Sequence, residues 1–104
     1  MTIIGNKFAV DFPMAKSIFD IHSETSLTFN IIEKDGNKTD IKETVETKMT
    51  EIRPQLFMVT WKEANGNTIT QIHDYEREII YSNWTTPKGE FINAEGTLKL
   101  IDNY

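Results

Sequence analysis

The chemistry this chain could perform is concentrated in a few polar side chains that an alternating pattern would bury. Glu63 continues the series Phe57, Val59, Trp61, and Glu43 lies between Ile41 and Val45, so both carboxylates are expected to face an interior. The segment from Thr68 to Tyr75 has no clean apolar face: one parity offers Ile69, Gln71, His73 and Tyr75, the other Thr68, Thr70, Ile72 and Asp74. With the first parity inward, a Glu63–His73 or Glu43–His73 contact would supply an acid/base pair, the imidazole titrating near neutrality and the desolvated carboxyl pushed upward. A second reading places Glu63 in solvent at a mouth beside the Asn65-Gly66 turn and gives His73 a backbone carbonyl partner. A bulge early in its strand would likewise misphase Glu43.

Other reactive arrangements are missing from the sequence. The two histidines, His22 and His73, lack the close spacing of a metal signature, so no metal and no cofactor is expected. Ser17, Ser23, Ser26 and Ser82 sit in no nucleophile-elbow pattern, and no glycine-rich phosphate loop occurs. Trp61, Tyr75, Tyr81 and Trp84 could stack on a planar ligand, or simply pack across strands.

The elements that must position these groups are strands. Leu27, Phe29 and Ile31 alternate with polar residues up to the turn Lys34-Asp35-Gly36-Asn37, after which Ile41, Val45 and Met49 alternate with Lys42, Thr44, Glu46 and Lys48. Phe57, Val59 and Trp61 lead into Asn65-Gly66-Asn67 and a partner strand from Thr68 to Tyr75. Ile79 to Trp84, the turn Thr86-Pro87-Lys88-Gly89, and Phe91 to Leu100 complete the series. Shorter strands, Lys7 to Phe12 and Ser17 to His22, flank Pro13 at the front. The fold class is all-β, about eight antiparallel strands with short connections, and the even hairpin spacing favours a closed or nearly closed up-and-down barrel over a sandwich. The inward sets are Leu27/Phe29/Ile31, Ile41/Val45/Met49, Phe57/Val59/Trp61 and Ile92/Ala94/Leu98/Leu100. Small residues at Ala94 and Gly96 leave room for a large neighbour or for a ligand. The mixed charges from Lys38 to Arg53 read as a solvated outer face.

Composition bounds the answer. The chain of 104 residues is sized for a single domain spanning 1–104, and 38% hydrophobic with 26% charged residues suits a folded chain. Eleven basic against sixteen acidic residues give a net charge of -5, the wrong sign for neutralising phosphates, so no nucleic-acid partner is expected. The absence of cysteine excludes disulfides and thiolate chemistry. With no apolar run near the roughly 18 residues of a membrane span and no leader pattern, the expectation is a cytoplasmic chain without a membrane partner.

The stretch Leu56-Phe57-Met58-Val59-Thr60-Trp61-Lys62-Glu63-Ala64-Asn65-Gly66-Asn67-Thr68-Ile69-Thr70, followed by His73-Asp74-Tyr75-Glu76, resembles the central segment of MoaF-like proteins, which are lipocalin-like (calycin) barrels. Val59 to Glu63, with the glycine turn after it, is also similar to bacterial phenolic acid decarboxylases. The resemblance implies a closed antiparallel barrel with a central cavity. In the decarboxylases two first-strand tyrosines, an arginine before the fourth strand and the glutamate of the Trp-x-Glu element do the work. Here Val10 and Phe12 stand at the tyrosine positions, Asp40 falls near the arginine's place, and Lys38 and Lys42 are the only cations nearby. Only Glu63 matches, so decarboxylation is not expected.

The functional expectation is a non-enzymatic barrel holding a small aromatic or amphipathic ligand. Candidate ligand-binding residues are Trp61, Glu63, Glu43, Gln71, His73, Tyr81, Phe57 and Phe29, with Phe8 and Phe12 as further lining. A lumenal carboxylate in an acidic chain should favour neutral or cationic ligands. Two alternatives stand beside it: a small lyase or isomerase using Glu63 and His73, and a filled barrel acting as an interaction module, for instance a homodimer.

Overall fold

The computed structural model describes residues 2–101, and within them every regular element is a strand. Among the described residues there is no helix, so none is long and apolar enough to cross a membrane. The strands are β1 (Lys7–Phe12), β2 (Ala15–Ser23), β3 (Ser26–Lys34), β4 (Asn37–Arg53), β5 (Leu56–Lys62), β6 (Thr68–Asp74), β7 (Ile79–Thr85) and β8 (Phe91–Leu100). Each pairs antiparallel with its sequence neighbour, and β8 returns to β1, so the sheet is a closed eight-stranded up-and-down barrel. Closure removes the open edge that short first strands could have left.

Alternation explains which side chains enter. Phe8 and Val10 from β1, Phe19 and Ile21 from β2, Leu27 and Phe29 from β3, Val45 from β4, and Val59 and Trp61 from β5 are buried. Ile69, Ile80 and Leu98 add the far wall from β6, β7 and β8. Because pleated neighbours share a face, the pairs Trp61↔Ile69, Ile69↔Trp84 and Trp84↔Ile92 make one inward row across four strands. A second row runs Val59, Gln71, Ser82, Ala94, and a third Phe57, His73, Ile80, Gly96.

The meander gives the barrel two unlike ends. The upper end carries the turns after β1, β3, β5 and β7; the lower end carries the other three turns and the segment before β1. The lower end is covered. Ile3 folds over it as part of the core, anchored where Gly5 N–H donates to Ile21 O at 2.7 Å and Ile21 N–H donates to Asn6 O at 3.1 Å. There too Tyr75 N–H donates to Gln55 O at 2.8 Å, tying two lower turns together.

Two inward expectations need correction. Ile41 is 47% exposed because β4 outruns β5: the pairing of these strands begins only at Thr47↔Trp61, so the first part of β4 has β3 alone beside it. Leu100 is 37% exposed for a related reason, lying at the lower limit of the β8–β1 pairing opposite Phe8.

Closure itself depends on Gly96. A β-carbon there would lie 2.0 Å from the Asp11 carbonyl oxygen and 2.8 Å from the Phe12 ring. The space expected at this small residue is therefore taken by β1 itself. Gly96→Ala must push β8 away from β1 at the seam, and we expect a loss of about 3 kcal/mol or more in urea unfolding. An unchanged midpoint would show that the seam tolerates the separation.

Candidate functional site

The interior of β6 resolves its ambiguous parity through a chain of side-chain hydrogen bonds. Ile69, Gln71, His73 and Tyr75 all point inward. His73 is fully buried, its Nε2 2.7 Å from Gln71 Oε1 and its Nδ1 3.1 Å from Tyr75 Oη. An amide oxygen only accepts, so Nε2 must carry the proton and Nδ1 accepts from the Tyr75 hydroxyl. Gln71 Nε2 then donates to Ser82 Oγ at 3.1 Å. The order Tyr75→His73→Gln71→Ser82 therefore matches both ring nitrogens while the imidazole is neutral. Burial lowers the His73 pKa to about 3 and pushes the Tyr75 hydroxyl above its ordinary value. Asp74 is buried for a different reason: its Oδ1 accepts from Arg77 N–H at 2.9 Å and caps the β6–β7 turn.

Rings close in around this chain. Phe8 lies 5.0 Å from Tyr75, Phe57 5.9 Å from Tyr75, and Phe19 6.0 Å from His73 and 6.2 Å from Trp61, centroid to centroid. Phe29 stacks on Trp61 at 6.3 Å. Phe8, Phe29 and Phe57, expected as lining for a ligand, thus pack largely on other side chains of the barrel.

The upper end is different. Glu63 lies just past β5, half-buried, with Oε2 accepting from the Trp61 indole N–H at 3.1 Å and Oε1 3.5 Å from Asn67 Nδ2. Glu43 reaches the same end from the projecting part of β4, its Oε2 accepting from Ala64 N–H at 2.8 Å. Burial raises the Glu63 pKa; the Trp61 hydrogen bond partly opposes this, and the Glu43 charge adds to it. Partly buried Phe12, Ile31 and Trp84 face inward at this level. The β5–β6 turn packs on the β7–β8 turn through Gly66, where a β-carbon would sit 2.8 Å from Pro87 Cγ. Together these groups bring partly buried apolar side chains and a proton-avid carboxylate to the upper end, a carboxylate able to accept a hydrogen bond or an ion pair.

Of the expected site residues, Trp61, Glu63 and Glu43 come together. Gln71 and His73 join each other instead, deeper and lower. Glu63 N–H pairs with Asn67 O, and His73 lies farther down β6 by roughly 20 Å at the ordinary strand rise. The Glu63–His73 and Glu43–His73 contacts are therefore not formed. Tyr81 is on the outer surface, 46% exposed, because its register partners Ile72 and Glu95 also face outward. Sequence reasoning passed over Ser82 and the paired role of Tyr75. The signal was present: Ser82 is a lone hydroxyl between Ile80 and Trp84 on an inward parity.

Fold and site define a small closed β-barrel whose interior is sealed at one end and polar-edged at the other. A MoaF-like family profile matches residues 4–99, and the chain belongs to the MoaF-like family. Among solved structures, it is similar to one described as "a putative beta-lactamase from Burkholderia vietnamiensis", with a TM-score of 0.84, 16% identity and 94% of each chain covered. At that identity the likeness is one of fold. No curated protein matches the sequence.

The buried imidazole sets the acid response of the fold. The unfolded chain protonates His73 near 6.5, but the folded chain does not until about 3. Stability should therefore fall as pH drops through that window, by up to about 1.4 kcal/mol per pH unit. Glu63, with its pKa raised, acts in the opposite sense, so the difference between wild type and His73→Gln isolates the imidazole. Urea midpoints from pH 7 to 4 should drop steeply for wild type and much less for His73→Gln. Parallel slopes would rule out a neutral buried His73.

Proposed function

We propose that this chain is a non-enzymatic binding protein that takes a small aromatic or amphipathic molecule, neutral or cationic at its polar end, into the upper mouth of the barrel. The observation that carries this reading is the half-buried Glu63 carboxylate, held by the Trp61 indole among partly buried apolar side chains. The ligand's apolar body would rest against Trp61, Phe12 and Trp84, and its donor or cation would meet Glu63, with Glu43 nearby reinforcing the preference for positive charge. An organic acid would meet two carboxylates instead.

Enzymatic readings have less support. An acid/base pair would need Glu63 and His73 in reach of one substrate atom, and they lie at different levels of the barrel. The likeness to phenolic acid decarboxylases offers only Glu63, since Val10 and Phe12 stand on β1 where tyrosines would be needed. The β-lactamase name belongs to the Burkholderia protein. In this chain the buried Ser82 hydroxyl has the Gln71 amide as its neighbour, which is not a base that could activate it.

Three probes of one shape test the proposal by tryptophan fluorescence and calorimetry: 2-phenylethylamine, 2-phenylethanol and phenylacetate. The amine should bind best, the alcohol less well and phenylacetate worst. Glu63→Gln should weaken the amine about tenfold, about 1.4 kcal/mol, while leaving the alcohol nearly unchanged. Acidification through the Glu63 titration should weaken the amine in the same way. Equal binding of phenylacetate and amine, or no effect of Glu63→Gln, would contradict the assignment.

A further inference from the structure

The outer wall of β6, β7 and β8 carries a concavity of about 400 Å³, on the opposite side of the sheet from the lumen. It lies across two register rows. One sets Thr70, Asn83 and Asn93 side by side, and the other sets Ile72, Tyr81 and Glu95. Thr70, Asn83 and Asn93 supply hydroxyl and amide groups, and Tyr81 supplies an aromatic ring that is 46% exposed. The lining contains no lysine or arginine, and Glu95 is its one charged group.

These polar groups differ from one bonded cluster elsewhere on the barrel exterior. On β2, β3 and β4 three polar side chains bond in a line, His22 Nε2 lying 2.7 Å from Thr28 Oγ1 and that hydroxyl 2.6 Å from Thr44 Oγ1, while Asn30 Oδ1 on β3 is buried without a partner. Among the described residues, the side chains of Thr70, Asn83, Asn93, Tyr81 and Glu95 make no hydrogen bond within the protein. Directly paired residues hold their β-carbons about 5 Å apart, so Asn83 and Asn93 present two primary amides next to each other, each with two donors and one acceptor. The result is a concave surface of unused, uncharged donors and acceptors beside an exposed ring, of a size within the ordinary range for small-molecule clefts.

We propose that this outer concavity is a second binding site, distinct from the mouth, and that it takes a neutral saccharide. A sugar ring offers what the surface lacks: vicinal hydroxyls, each both donor and acceptor, for the amides of Asn83 and Asn93 and the hydroxyl of Thr70, and an apolar C–H face for the Tyr81 ring. Glu95 accepts from a further hydroxyl. A phosphorylated ligand is disfavoured, because no cation in the lining would meet its charge.

The test is an amide-resolved NMR titration of the intact chain with D-glucose, D-galactose, maltose and cellobiose. At least one sugar should give saturable shifts confined to residues 70–72, 81–83 and 93–95. Tyr81→Ala and Asn83→Ala, both outward and so compatible with the fold, should each weaken that binding about tenfold or more while leaving 2-phenylethylamine binding at the mouth unchanged. Three results would overturn the proposal. The first is no saturable shift for any of the four sugars up to about 50 mM, far weaker than ordinary millimolar recognition. The second is a sugar response centred on Trp61 and Glu63. The third is movement of the same outer residues with protein concentration alone, which would make the surface an interface between copies of the chain.

Discussion

A buried imidazole must have partners for both nitrogens or leave the interior, and the core of this barrel is arranged around that requirement. His73 keeps its place because Tyr75 donates to one nitrogen and Gln71 accepts from the other. Gln71 is in turn satisfied by Ser82, so a polar line runs across β6 to β7 inside an otherwise aromatic interior. Phe8, Phe19 and Phe57 pack against its members. The wall that holds the line is completed at the β8–β1 seam, where only a residue without a side chain fits beside Asp11.

The same arrangement separates the barrel into a filled lower part and an upper end where two carboxylates gather. With Ile3 over the lower end and the rings around His73, the lower interior is occupied by the protein's own side chains. The polar groups left near a free edge are Glu63 and Glu43 at the top, brought together because β4 outruns β5 and the β5–β6 turn folds toward it. Asymmetry in strand length, rather than any special motif, creates the site. The chemistry there is that of a carboxylate that holds its proton more tightly than usual, which suits recognition of a donor or cation better than a bond-breaking step.

Much of the architecture was legible in residue alternation, which assigns each side chain to a face. The hairpins at Asp35-Gly36 and Asn65-Gly66, the eight strands and most of the inward sets follow from it, because period two and turn chemistry are local properties. Alternation says nothing about level along the barrel axis. That is why a Glu63–His73 pair stood as one reading, conditional on the parity of β6, and why it is not formed even with His73 facing inward. Level is set by register and by unequal strand lengths, which also explain the exposure of Ile41. Tyr81 was drawn inward by its aromatic character, although Ile80, Ser82 and Trp84 already define the inward parity of β7. For β6, local pattern could not choose between parities, and the choice was made by hydrogen bonds to a residue on β7 and one beyond the strand end.

The most direct measurement is a nitrogen-15 NMR experiment on the histidine side chains, following the two ring nitrogens of His73 from pH 8 to pH 4. One neutral tautomer is expected throughout, protonated on Nε2, with no titration in that range. A His73 that takes up a second proton near pH 6.5, or that carries its proton on Nδ1, would contradict it. Uptake of that second proton would mean a solvated interior, and the filled lower core would fail as a description.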